Sequence, residues 1–173
     1  MKFSTGTVLF LAITLASSQD GVAQGDGNGR VPNAVLVDAD GTFVGVPISL
    51  DVYGEQGLVL MKSRDGQAVA VGLQGRAFLG GDEVLYLTSN CTGPAYVQPQ
   101  IGIFARAAIA PPGRSVYLAQ QNAIPQQITY FSLYEESQGC QPQSSGVARN
   151  LVPAVTSGIR LNRFTLPLNT VIR

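Results

Sequence analysis

The chain has 173 residues, with 11 lysines and arginines against 11 aspartates and glutamates and no histidine, so it is neutral overall. Charged residues make up 13% of it, against about 25% in an average soluble domain, and so few cations do not build the basic face that nucleic-acid binding needs. Without histidine the usual base of a serine or cysteine hydrolase is missing as well.

Met1-Lys2 opens with a positive charge, Val8 to Ala16 (VLFLAITLA) is apolar, and Gly21-Val22-Ala23 is a small-residue exit. That order is what a secretory signal peptide requires, and the apolar run is far shorter than the roughly 20 residues that cross a bilayer. The sequence therefore predicts cleavage after residues 1–23, no membrane span afterwards, and a periplasmic or extracellular destination. No cysteine closes the apolar run, so no lipoprotein anchor is expected. Gln24 to Asn33 (QGDGNGRVPN) is Gly-rich and without apolar periodicity, which reads as a flexible leader. Residues 34–173 then have the length of one β domain, with room for a sizeable core.

Ala34 to Val37, a turn at Asp38-Ala39-Asp40-Gly41 and Phe43 to Ile48 give strand, Asp-Gly turn, strand. The order recurs in Leu58 to Met61, Arg64-Asp65-Gly66 and Ala68 to Val71, predicting two successive hairpins. Further β-type runs follow at Val84 to Leu87, Ile101 to Phe104, Ser115 to Ala119, Ile128 to Tyr134 and Ile159 to Leu166, separated by Gly/Pro breakers. Gly102 to Ala110 and Val147 to Val155 are the most helix-like windows, but Pro111 closes the first and Pro153 breaks the second. The expected fold is all-β, a single-domain sandwich or open barrel of about eight to ten short antiparallel strands, with at most one short helical turn.

Cys91 and Cys140 are the only cysteines. In an exported chain an even pair reads first as a disulfide, and closing a loop of about 50 residues is worth roughly 4 kcal/mol by chain entropy. Each follows a strand and a polar stretch, so the bridge is expected to join two turns at strand ends. Acidic residues predominate up to Gln100, whereas from Ile101 onward Arg106, Arg114, Arg149, Arg160, Arg163 and Arg173 face only Glu135 and Glu136. Pairing of the two halves within one fold explains this more simply than head-to-tail association.

The Asp-Gly hairpins, the segment YLTSNCTGPAY from Tyr86 to Tyr96, the late Cys140 and the ending Phe164-Thr165-Leu166-Pro167-Leu168 resemble a loose group of small exported bacterial β-rich proteins of unassigned function. The resemblance covers most of Ala34 to Leu168. It implies export, a β-rich domain and one disulfide, and it implies no chemistry.

Candidate sites are sparse. Asp38-x-Asp40-Gly41 is a fragment of an oxygen-ligand calcium loop, with Asp26 and Asn28 as possible additions. Asp51 and Glu55 miss the spacing of a closing bidentate ligand, and a hairpin turn uses Asp and Gly for local reasons. Glu135-Glu136 would point to opposite strand faces, which suits a solvated strand end better than paired acid and base. Gly25-Asp26-Gly27-Asn28-Gly29 lacks the strand, helix and Lys of a phosphate loop. Asn90-Cys91-Thr92 matches a glycosylation sequon. Tyr86, Tyr96, Tyr117, Tyr130 and Tyr134 with Arg106 and Arg114 are candidates for a glycan or peptide surface, although tyrosines in strands usually pack. Lys62 is the only lysine besides Lys2. These readings favour an exported, non-catalytic binding or structural domain without cofactor, its partner an unidentified protein or glycan. The alternatives are a subunit of a surface fibre or adhesin, a small outer-membrane barrel and a hydrolase of carboxylate or threonine type.

Overall fold

The computed structural model describes residues 33–50, 56–100, 102 and 104–173. The expected signal peptide, nearly all of the leader, Asp51 and Glu55 lie outside the described residues. These contain no α-helix, and the protein is all-β. The strands are β1 (Ala34–Val37), β2 (Phe43–Leu50), β3 (Gln56–Lys62), β4 (Ala68–Gln74), β5 (Ala77–Leu79), β6 (Val84–Tyr86), β7 (Ala95–Val97), β8 (Ala105–Arg106), β9 (Ala108–Ala110), β10 (Ser115–Ala119), β11 (Gln126–Glu135), β12 (Gly139–Arg160) and β13 (Asn169–Ile172). They exceed the expected number because several have only two or three residues, too few to show periodicity.

One sheet runs β13-β1-β2-β3-β4-β5 and is curled like half a barrel. The repeated Asp-Gly order gives hairpin turns after β1 and after β3, as expected. The far edge of β4 is shared. Gly72 to Gln74 pair with β5, while Val69 and Ala70 pair with β8 in parallel, an exception to the expected antiparallel rule. Val44, Val59, Met61, Val69, Val71 and Leu73 point inward and are buried. The outward positions Val46, Ile48, Leu58 and Leu79 are about two-fifths exposed.

The second sheet is organised by β12, 22 residues long. It pairs first with β11, then through Val152 and Pro153 with β7, then through Ala154 to Arg160 with β10. Because β11 also pairs with β6, and β6 with β7, the strands β11, β6, β7 and β12 hydrogen-bond in a closed cycle. Two irregularities let one strand serve so many partners. Opposite Phe131 the register jumps from Pro142 to Val147, and a Cβ on Gly146 would come within 2.5 Å of Thr129 Cγ2, so only glycine fits that bend. Near the other end Gly158 has φ 77° and a Cβ there would lie 2.9 Å from the Arg64 side chain, giving a bulge. Arg64 N–H donates to the Ser157 carbonyl at 2.9 Å, tying the β3–β4 turn to β12.

The main core lies between the curled sheet and the inner faces of β9, β10 and the end of β12, closed by Leu161, Phe164 and Leu168. β9 and β10 are covered on both faces. Ile109, Val116 and Leu118 join the main core, while Ala108, Ala110 and Tyr117 join a second cluster with Val84, Tyr86, Val97 and Val152. A third cluster of Leu85, Tyr130, Leu133 and Leu151 draws one residue or more from each of β6, β11 and β12.

One expected strand is corrected. Ile159 to Leu166 is not a strand: β12 ends at Arg160 and Leu161–Arg163 is a 3-10 turn. The window Val147 to Val155, read as broken by Pro153, holds no helix and is the middle of β12, its apolar residues serving several partners in turn. Gly102 to Ala110 likewise holds β8 and β9, and of the strand expected over Ile101 to Phe104 the residues Ile101 and Ile103 lie outside the described residues.

Candidate binding cleft

The disulfide joins Cys91 and Cys140, with Cα atoms 5.8 Å apart. Cys91 sits in a turn with φ 53°. Cys140 is not in a turn as expected but lies in β12 opposite Tyr134, since the β11–β12 hairpin turns earlier. Ser132, fully buried, pins the other partner: its hydroxyl donates to the Thr88 carbonyl at 2.6 Å and accepts from Cys91 N–H at 3.0 Å. A structural disulfide is what oxidising compartments support. In the sequon, the Thr92 hydroxyl donates to Asn90 Oδ1 at 2.7 Å, at an exposed position.

The remaining residues singled out from sequence are dispersed. Asp38 is buried, and its carboxylate accepts from three backbone amides: Asp40 at 3.1 Å, Thr42 at 2.7 Å and Thr165 at 3.2 Å. Burial pushes its pKa up, but the amides of Thr42, Thr165 and Asp40 together outweigh that and hold it below its ordinary value. Both oxygens are thus committed to the turn and to the C-terminal segment, while Asp40 is exposed. Among the described residues no three His, Cys, Asp or Glu side chains converge as metal ligands would.

Glu136 is not a solvated strand end. It pairs with Arg114, packs its Cβ over Gly80, and leaves Oε2 buried. Arg114 also donates to the Phe78 carbonyl at 3.2 Å. Glu135 accepts from the Ser137 hydroxyl at 2.9 Å. Arg106 pairs with Asp82 at 2.8 Å and Arg149 with Glu83 at 2.9 Å, so these basic residues of the second half meet acidic partners within one chain. The tyrosines pack rather than line a surface. Tyr86 and Tyr130 are buried, and Tyr117 and Tyr134 flank Tyr86; burial, with these two neighbours, pushes the Tyr86 hydroxyl up to about 12.

Polar side chains converge elsewhere. A cleft of about 350 Å³ opens where three connections meet, within the roughly 300 to 1,000 Å³ of ligand pockets. One wall is the turn after β10, Gln120 to Ala123. Gln120 N–H donates to the Pro153 carbonyl at 2.9 Å, Ala123 N–H to the Gln120 carbonyl at 3.3 Å, and Asn122 takes φ 59°, a conformation Asn tolerates. The second wall is made by Pro99, Gln100, Gly102 and Phe104. The Gln100 side chain donates to the Arg106 carbonyl at 2.7 Å and accepts from Arg106 N–H at 3.0 Å, as a strand partner would. The third contributor is Gln67, from the Asp65-Gly66 turn, whose N–H donates to Ser63 Oγ at 2.9 Å. Val152 and Ala119 form the apolar floor, and Phe104, 39% exposed, presents its ring.

Among the described residues no charged side chain lines this cleft. Gln67, Gln120, Gln121 and Asn122 make no side-chain hydrogen bond with another described residue, so their amides remain for a ligand. Two other depressions lack this convergence: one over Gly72 lies between Leu58 and Leu79, and one beside Leu168 has Arg76 at its edge. In the sequence Gln120-Gln121 forms part of no motif. The available signal was an amide-rich turn between two strands, and its meeting with Gln67 and Phe104 is set by the tertiary fold alone. No helix among the described residues is long and apolar enough to cross a membrane. No protein-family model, curated protein or solved structure matches the chain.

Proposed function

We propose that the protein is an exported, non-catalytic binding domain, periplasmic or extracellular, that recognises an uncharged polar partner in the cleft between the β10–β11 turn and the residues Pro99, Gln100, Gly102 and Phe104. The observation that carries this reading is the convergence of uncommitted amides on an apolar floor with an exposed aromatic ring. Such a site orients a ligand by a few placed polar groups while apolar surface supplies affinity. Support for binding over catalysis comes from the residue inventory. The chain has no histidine, both cysteines are bonded, and Asp38, Glu83 and Glu136 are engaged with amides or arginines. Export is supported by the disulfide and by the charge, apolar run and small-residue exit of residues 1–23.

The test compares wild type with Ala119→Trp, which fills the cleft floor, on an array of glycans and peptides. Both proteins are first checked for the same thermal midpoint. Ligands captured by wild type and lost by the variant support the cleft; capture that is equal for both proteins, or absent for wild type, contradicts it.

A further inference from the structure

We infer that the cleft takes a neutral pyranose oligosaccharide, an inference that rests on reading the cleft as the binding site. Three observations carry it. The first is charge. An acidic saccharide, a nucleotide or a phosphate group needs a fixed cation, and among the described residues no Lys or Arg lines the cleft; Arg106 lies just beyond it but is turned to Asp82 at 2.8 Å. The second is the pairing chemistry of the walls. A Gln or Asn side chain offers a planar carbonyl acceptor beside two N–H donors, which matches vicinal sugar hydroxyls that each donate and accept. Gln67, Gln120, Gln121 and Asn122 have those groups available. Gln100 does not, because both ends of its amide are committed to Arg106.

The third is Phe104. Its exposed ring supplies the flat apolar face against which the C–H side of a pyranose packs, while the ring hydroxyls point to the amides. A proline-rich peptide would share the neutrality, but grooves for such helices are lined by several aromatic side chains, and among the described residues Phe104 alone brings an aromatic ring to this cleft. The amide-dominated wall favours the saccharide.

Side-chain NH2 resonances of Gln and Asn read this site directly. The exported protein, 15N-labelled, is titrated separately with maltohexaose, cellohexaose and chitohexaose to about 10 mM, where sites with Kd near 1 mM saturate. The expected result is movement of the Gln67, Gln120, Gln121 and Asn122 NH2 pairs with at least one of the three, and little change at Gln100. Phe104→Ala is expected to weaken that binding about tenfold, and Gln121→Ala, at another exposed position, to weaken it independently. If oligogalacturonate or a proline-rich decapeptide moves these four pairs and no neutral saccharide does, the neutral-saccharide assignment is overturned and the cleft keeps its role. If no probe moves them, both readings fall.

Discussion

Ser132 shows how much of the molecule hangs on single buried polar groups. It has no exposed surface, yet its hydroxyl satisfies the Thr88 carbonyl and the Cys91 amide beside the disulfide. Ser132→Ala leaves both unsatisfied, and an expected loss of about 1 to 3 kcal/mol is measurable by urea unfolding. A negligible change would mean that the turn holds itself. Asp38 gives a pH-dependent counterpart. Its folded pKa lies below the ordinary 3.8, so its stabilisation is complete above that value and is lost as pH falls through the lower native value. Asp38→Asn turns a carboxylate oxygen into a donor. The variant should melt several degrees lower than wild type at pH 7, and the gap should narrow near pH 3. A gap that is unchanged with pH would show that the charge contributes nothing.

At the scale of elements, β12 holds the second sheet together, and it was the element least legible in the sequence. β1 and β10 were read at their true bounds because apolar runs of strand length stood between clear turn signals. β12 contains Gly139, Pro142, Gly146, Pro153 and Gly158, residues that ordinarily end strands. Gly139 opens the strand from the hairpin turn with φ 75°; the others are tolerated because the strand changes partner or bulges near them, and that information resides in β7, β10 and β11 rather than in the local sequence. The same holds for the cleft: a glutamine carries no motif, and Gln67 meets Gln120 only because β3–β4 and β10–β11 turn toward one place. Asp38, by contrast, was legible as a turn residue, and only its reach to Thr165 was hidden. The bend in β12 is testable. Gly146→Ala places a Cβ against Thr129 and Phe131, and the overpacking should cost about 1 to 3 kcal/mol. An unchanged thermal midpoint would mean that the bend relaxes freely.

For the whole molecule, the Cys91–Cys140 bridge connects the β6–β7 turn to the start of β12 across 49 residues of chain. By restricting the unfolded chain it should contribute about 2 to 4 kcal/mol, read as the difference in urea midpoint between oxidised protein and protein in dithiothreitol. A midpoint that does not move would assign stability to the cores alone. Neither cysteine lines the cleft, but Cys91 packs against the cluster that holds Val152, Ala119 and Ala123, so the bridge braces the core from which the cleft is built.

The claim that the cleft binds a neutral saccharide is tested most directly by intermolecular nuclear Overhauser contacts at saturating ligand. The account requires contacts between the Phe104 ring protons and the C–H protons of one pyranose face, together with contacts from the Gln121 side-chain amide. Contacts arising instead from Leu58 and Leu79 on the outer face of the curled sheet, with none from Phe104, would contradict it.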